Sequence, residues 1–258
     1  MASASPHAGL TKENVIGFNR FGVKCALVTG ACFRLSRTGF CNLIAFDEVN
    51  HNSMQSFVLP KSGQTASVGL LGPEHLSQTQ ALLAETRAAL PESEKMFVLP
   101  QPQSYFENML ARRYGVMIGV VADHQVIAQM AIMGSLTLDE AIERNAITRN
   151  DVYFHHAQSN EVVVVAKSMA AHPRWRGNGL AQILMKAALD LPMCRAADHM
   201  FAQASVDNMR SWAMFMRFGF GVVAAAVDPN DRKPRFVLQR PTLGFGLREA
   251  PSVEGVSP

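Results

Sequence analysis

The sequence predicts a mixed α/β chain, a sheet flanked by helices, and three stretches carry that expectation. From Glu161 the residues Val162, Val163, Val164, Val165 and Ala166 are continuously apolar and mostly β-branched, as in a strand covered on both faces. A glycine-bearing loop, Arg174-Trp175-Arg176-Gly177-Asn178-Gly179, follows, and behind it Leu180, Ile183, Leu184, Ala187 and Ala188 recur at helical spacing. Further on, residues 198–208 read as a strand ending in a polar turn, and Asn208 to Phe218 as a helix stopping at Gly219.

In chain order, residues 1–46 carry Lys12, Arg20, Lys24, Arg34 and Arg37 against the single acid Glu13, a faint transit-peptide colouring without an uninterrupted apolar core or a clean cleavage motif. An irregular extension, a small β-rich appendage and a segment ahead of the true start all remain open. Pro60, Gly63 and their polar neighbours in residues 59–64 suggest a linker. The expected organisation is therefore an N-terminal extension over 1–63, a catalytic-type domain over 64–243 and a loose tail over 244–258. Val68, Leu70 and Leu71 suit a first strand. Ser77 and Gln80 have capping-box spacing ahead of Leu83, Thr86 and Leu90, with Pro91 ending that helix. Phe106, Met109 and Leu110 set the face of a helix over 105–113. Tyr114–Val121 and Val126–Met133 form a hairpin about residues 122–125, and Leu138, Ala141, Ile142 and Ala146 suggest a helix in the connection to Ser159. A final hairpin joins 220–227 to 235–239 across Asp228–Arg232.

The loop is suited to an anion. Gly177 and Gly179 let backbone N–H groups turn toward a common point, the following helix offers unpaired N–H groups and the positive end of its dipole, and Arg174 and Arg176 stand beside them.

The run His-Pro-Arg-Trp-Arg-Gly-Asn-Gly-Leu-Ala over 172–181 resembles the acyl-coenzyme A loop of the GNAT superfamily of N-acyltransferases, whose pattern is R/Q-x-x-G-x-G/A. Arg174, Gly177 and Gly179 satisfy it, as do Arg176, Gly179 and Ala181. A second motif agrees in order and spacing: Asn208, Phe215, Gly219 and Phe220 match a helix that follows a strand-end Asn and closes on Gly-Phe. The resemblance implies a mostly antiparallel sheet flanked by helices. It implies acetyl-CoA as co-substrate without a metal, and an amine-bearing acceptor, small molecule or protein. By the same resemblance Arg174, Arg176, Gly177, Asn178, Gly179, Leu180 and Ala181 hold the pyrophosphate, Met169, Ala170 and Ala171 pair with the pantetheine arm, Asn208 contacts that arm, and Phe215 is counted among the coenzyme-binding residues. Asn208 is equally suited to cap its helix.

Composition narrows the function classes. A formal net charge of +3 does not call for nucleic acid, and no run approaches the roughly 20 apolar residues that cross a bilayer. Cys25, Cys32, Cys41 and Cys194 lack metal or disulfide-scaffold spacing, so neither metal nor membrane is expected and a reducing cytoplasm is the expected compartment. A lone chain and a homodimer both remain open.

Two departures from the family's pattern bear on chemistry. The position where many relatives carry a tyrosine acid holds Phe215, and the position of a glutamate base in some N-terminal acetyltransferases holds Gln203; neither side chain does that job. Replacement candidates are Glu161, where some relatives carry a base but which also suits a solvated strand end, and Tyr105, on a helix that flanks the acceptor site in the family. His155, His156, Tyr114 and Tyr153 are further titratable groups, each also suited to ordinary surface or packing roles, and His172 reads as a loop residue. The expected reaction is direct attack of an amine on the thioester in a ternary complex. The alternative is a catalytically impaired acyl-CoA-binding regulatory module. An unrelated nucleotide binder is disfavoured, because no G-K-[ST] follows the glycines.

Overall fold

The computed structural model describes residues 54–143, 161–227 and 232–242, together with the backbone of four earlier strands. The chain separates into two compact units, Met1–His51 and Asn52–Pro258. The first carries a four-stranded antiparallel sheet in the order β1 (Val15–Phe18), β2 (Lys24–Val28), β3 (Ala31–Leu35), β4 (Cys41–Ile44).

The second unit is built on an eight-stranded sheet in the order β11-β12-β10-β9-β8-β7-β6-β5. Its strands are β5 (Gln55–Val58), β6 (Thr65–Leu70), β7 (Gly115–Ala122), β8 (Gln125–Thr137), β9 (Val162–Ala171), β10 (His199–Ser205), β11 (Gly221–Val227) and β12 (Pro234–Pro241). Every pairing is antiparallel except β9 with β10. The sheet is thus mixed and mostly antiparallel, with helices on both faces.

The apolar run of β9 explains its place. Val163 and Val165 pack beneath α1 (Leu76–Ala88) and α2 (Gln103–Leu110), with Leu82, Leu83, Phe106 and Met109. Val164 and Ala166 face the other way, toward α4 (Leu180–Asp190), α5 (Pro192–Ala196) and α6 (Met209–Arg217). A strand apolar on both pleats is what two helical layers require. On α4, Leu180, Leu184, Met185 and Ala188 are buried, each large side chain contributing about 1.5–3 kcal/mol on removal from water. The short α3 (Leu138–Glu143) follows β8; the predicted extension of that helix to Ala146 lies outside the described residues.

Two local expectations change. Residues 59–64 form a hairpin turn joining β5 to β6: Leu59 N–H donates to the Gln64 carbonyl at 2.8 Å, Gly63 N–H to the Leu59 carbonyl at 2.9 Å, and Leu59 is fully buried. Proline and glycine mark a tight turn as readily as a tether, so β5 belongs to the larger sheet. Nor does Ser77 cap α1. A 3-10 turn over Pro73–His75 leads into the helix at Leu76, and His75 occupies the N-cap position without a side-chain bond. The β7–β8 hairpin closes on Asp123 and His124, both at positive φ (49° and 62°), as a two-residue turn demands.

No described helix is long and apolar enough to cross a membrane.

Candidate functional site

The parallel pair β9–β10 is where the sheet opens. Their register runs from Val163–His199 to Ala166–Ala202 and stops there, although β9 continues along β8 to Ala171 and β10 along β12 to Ser205. Beyond Ala166 and Ala202 a gap therefore lies between two strands that are each held from outside. Beside it β9 bulges. Lys167 pairs with Ala131 and Ala170 with Gln129, so Ser168 and Met169 face the single residue Met130, and Ser168 sits at φ 51°.

At the far end of β9 the chain enters the glycine loop. His172 Nδ1 accepts from Arg174 N–H at 3.2 Å, and its Nε2 lies 3.1 Å from Glu85 of α1, so this residue ties the loop to the helical layer as well as turning the chain. Pro173–Trp175 make a 3-10 turn. Gly177 (φ 88°) and Gly179 (φ 70°) then adopt backbone that other residues rarely take. Gly179 is the N-cap of α4, and its carbonyl accepts from both Gln182 and Ile183 N–H, leaving the N–H groups of Leu180 and Ala181 without intrahelical partners. Arg174 and Arg176 are exposed and form no ion pair with a described residue. Asn178 differs from its neighbours. Its side chain is buried, Nδ2 donating to the Trp175 carbonyl at 3.0 Å and Oδ1 accepting from Lys61 N–H at 2.9 Å. Any ligand contact it makes is by its backbone.

Neutral polar groups collect on the α1–α2 side of the gap. Tyr105, on α2, stacks edge-on to Phe106 at 5.5 Å and has Ser168 beside its hydroxyl, without the geometry of a full hydrogen bond. Burial pushes the phenol up to about 12, so its hydroxyl stays protonated well into alkaline pH. Gln129, fully buried on β8 opposite Ala170, has both amide atoms unpaired, and Gln203 Nε2, on β10 just past the last β9 pairing, is unpaired too. Such buried orphan groups are uncommon and costly.

A family model described as acetyltransferase (GNAT) family matches residues 92–220, half of the chain. The chain belongs to the GNAT acetyltransferase family.

Solved structures share the GNAT fold. Arabidopsis thaliana NAA60 in complex with acetyl-CoA aligns at 12% identity over 68% of this chain and 99% of its own, with a TM-score of 0.50. A GNAT-family acetyltransferase from Streptococcus agalactiae aligns at 15% over 70% and 96%, with a TM-score of 0.51. The GNAT domain of S. lividans PAT aligns at 12% over 72% and 96%, with a TM-score of 0.50. Identities this low speak to the fold alone. No curated protein matches the chain in sequence.

Within this GNAT chain the residues named from sequence lie in several places. Met169, Ala170 and Ala171 border the gap, and Arg174 to Ala181 form its loop. Asn208 caps α6, Oδ1 accepting from Ser211 N–H at 3.2 Å. Phe215, expected from the resemblance to replace an acid, is buried against Phe220 at 5.1 Å between ring centres. Glu161 is elsewhere: it precedes β9 at the end opposite the loop, seven residues and roughly 20 Å from Ser168 along an extended strand. It is also not a solvated strand end, being buried and 3.0 Å from His199 Nε2. Tyr114 is partly exposed at the start of β7, and Tyr153, His155 and His156 lie outside the described residues.

Sequence reasoning missed Lys61, Ser168 and Gln129. Only Gln129 left a signal, a lone amide in the apolar run from Val126 to Met133. Two open cavities, about 420 Å³ beside α1 and α2 and about 660 Å³ near Gly72 and Leu110, contain none of the loop residues.

Proposed function

We propose that this GNAT chain transfers an acetyl group from acetyl-CoA to a primary amine by direct attack within a ternary complex. One observation carries the proposal: β9 has a gap along one edge, a bulge at Ser168 within it and the glycine loop at its end. That is the order in which a thioester, its pantetheine arm and its pyrophosphate follow one another.

The backbone of residues 177–181 binds the pyrophosphate at the start of α4, with Arg174 and Arg176 adding charge. The edge of Met169–Ala171 that faces the gap, away from β8, pairs with the arm's amides and carries the thioester to the bulge. A backbone N–H turned out of the ladder there polarises the carbonyl as the amine attacks. The new C–N bond forms as the C–S bond breaks, and the departing thiolate takes a proton from Tyr105, which burial keeps protonated. With Gln203 where some relatives carry a carboxylate, the proton of the attacking ammonium leaves through water. Gln129 and Ser168 orient the reacting groups, and holding two partners in one cleft supplies much of the rate.

The impaired coenzyme-binding module remains the second reading, favoured by the burial of Phe215 against Phe220. The test is to incubate the protein with acetyl-CoA and a panel of amines, peptides and small molecules, and to detect acetylated product by mass. Turnover above the uncatalysed rate for at least one amine is expected. Rates equal to buffer for the whole panel, from protein that binds the coenzyme, would select the module.

A further inference from the structure

The turn between β5 and β6 is fastened to the glycine loop across a long stretch of chain. Lys61 N–H donates to Asn178 Oδ1 at 2.9 Å, and the same buried amide holds the Trp175 carbonyl through Nδ2, so turn and loop share one brace. The Lys61 side chain runs on over the loop. A Cβ built on Gly177 would stand 3.4 Å from Lys61 Cδ and 3.8 Å from its Nζ. The ammonium thus lies against backbone where two glycines at positive φ and an unpaired helix N-terminus meet. Lys61 is exposed and has no carboxylate partner among the described residues. Its ammonium adds a positive charge beside backbone donors already suited to an anion.

We infer that Lys61 is a phosphate-binding residue of the coenzyme site, delivered by the β5–β6 turn and positioned by Asn178. The inference rests on the proposed coenzyme site. It assigns that site a component from well outside the loop motif, on a segment whose composition suggested a tether. The brace uses the backbone N–H of Lys61, so side-chain replacement leaves it intact and separates charge from position. Lys61 would complete a third corner of positive charge around the phosphates, beside Arg174 and Arg176. The shared chemistry is a phosphate of the coenzyme, either in the pyrophosphate or on the ribose.

The test is calorimetric titration of the full chain, as parent, Lys61→Met and Lys61→Arg, with coenzyme A, 3′-dephospho-coenzyme A and inorganic pyrophosphate. A charge-assisted contact predicts about tenfold weaker binding of coenzyme A by Lys61→Met, near-parental binding by Lys61→Arg, and unchanged melting temperature in both. A loss that persists with 3′-dephospho-coenzyme A and extends to inorganic pyrophosphate assigns Lys61 to the pyrophosphate. A loss that vanishes with the dephospho form assigns it to the ribose phosphate. Parental affinity in Lys61→Met overturns the inference while leaving the coenzyme site standing. No binding of coenzyme A by the parent overturns both.

Discussion

Glu161 Oε2 and His199 Nε2 meet at 3.0 Å with both side chains buried, at the end of the β9–β10 pair that is still hydrogen-bonded. Gln239 closes the group, its Nε2 3.0 Å from His199 Nδ1. Next to it, Asp198 Oδ2 accepts from Val162 N–H at 2.9 Å. These contacts fix the start of two parallel strands whose other ends must stay apart. Glu161→Ala should therefore cost stability, about 1–3 kcal/mol in urea unfolding, because it takes the carboxylate's hydrogen bond from a buried imidazole. The folded fraction should keep its turnover. Lost turnover at parental stability would instead make Glu161 the base.

Tyr105→Phe separates the two demands on the gap. Removing a buried hydroxyl that lacks a good acceptor should raise stability by about 1 kcal/mol, while loss of the proton donor should lower kcat about a hundredfold with little change in the KM for acetyl-CoA. Gln129→Met should behave alike in sign, more stable and less active, since both amide atoms are buried without partners. Unchanged kcat in Tyr105→Phe would remove Tyr105 from the chemistry.

Alkaline pH should unfold the protein through two buried acids. Burial pushes Tyr105 up to about 12 from 10.0, and pushes Cys194 up to about 12 from 9.0, against a smaller opposing effect of Arg240. Both remain protonated in the fold while the unfolded chain has already released its protons. Their contribution is thus complete below about pH 9 and is lost as pH rises toward 12. The urea midpoint should fall across that window, and Cys194→Ala should flatten the part beginning near pH 9. A midpoint independent of pH from 9 to 11 would contradict the burial of both groups.

Truncation tests the turn over residues 59–64. A chain beginning at Asn52 keeps β5 and the buried Leu59 and should unfold cooperatively; one beginning at Gln64 loses both and bares the edge of β6, so it should melt several degrees lower or aggregate. Equal melting of the two would mean that β5 adds nothing to the sheet.

Periodicity made the order of strands and helices legible, because β9, α4 and α6 bury the apolar faces that their spacing draws. The loop was legible too, since positive φ at Gly177 and Gly179 demands the residue that the sequence shows there. The bulge was not. Ser168 occupies backbone that its side chain does not advertise, and register depends on β8 and β10, which lie far away in sequence. Lys61 was hidden for a similar reason, as Pro60 and Gly63 are compatible with either a tether or a hairpin, and only the pairing of β5 with β6 decides. Glu161 shows the reverse error: a carboxylate at a strand end looks solvated until the neighbouring strand supplies His199.

The central claim is that the loop over 174–181 binds the coenzyme, and calorimetric titration of acetyl-CoA into the parent and Gly177→Glu tests it most directly. A glutamate there is strained at φ 88° and sets its carboxylate beside Lys61, where phosphate would bind. Saturable one-site binding by the parent and none by a folded variant is the predicted result. No saturable binding by the folded parent, or equal binding by both, would contradict it.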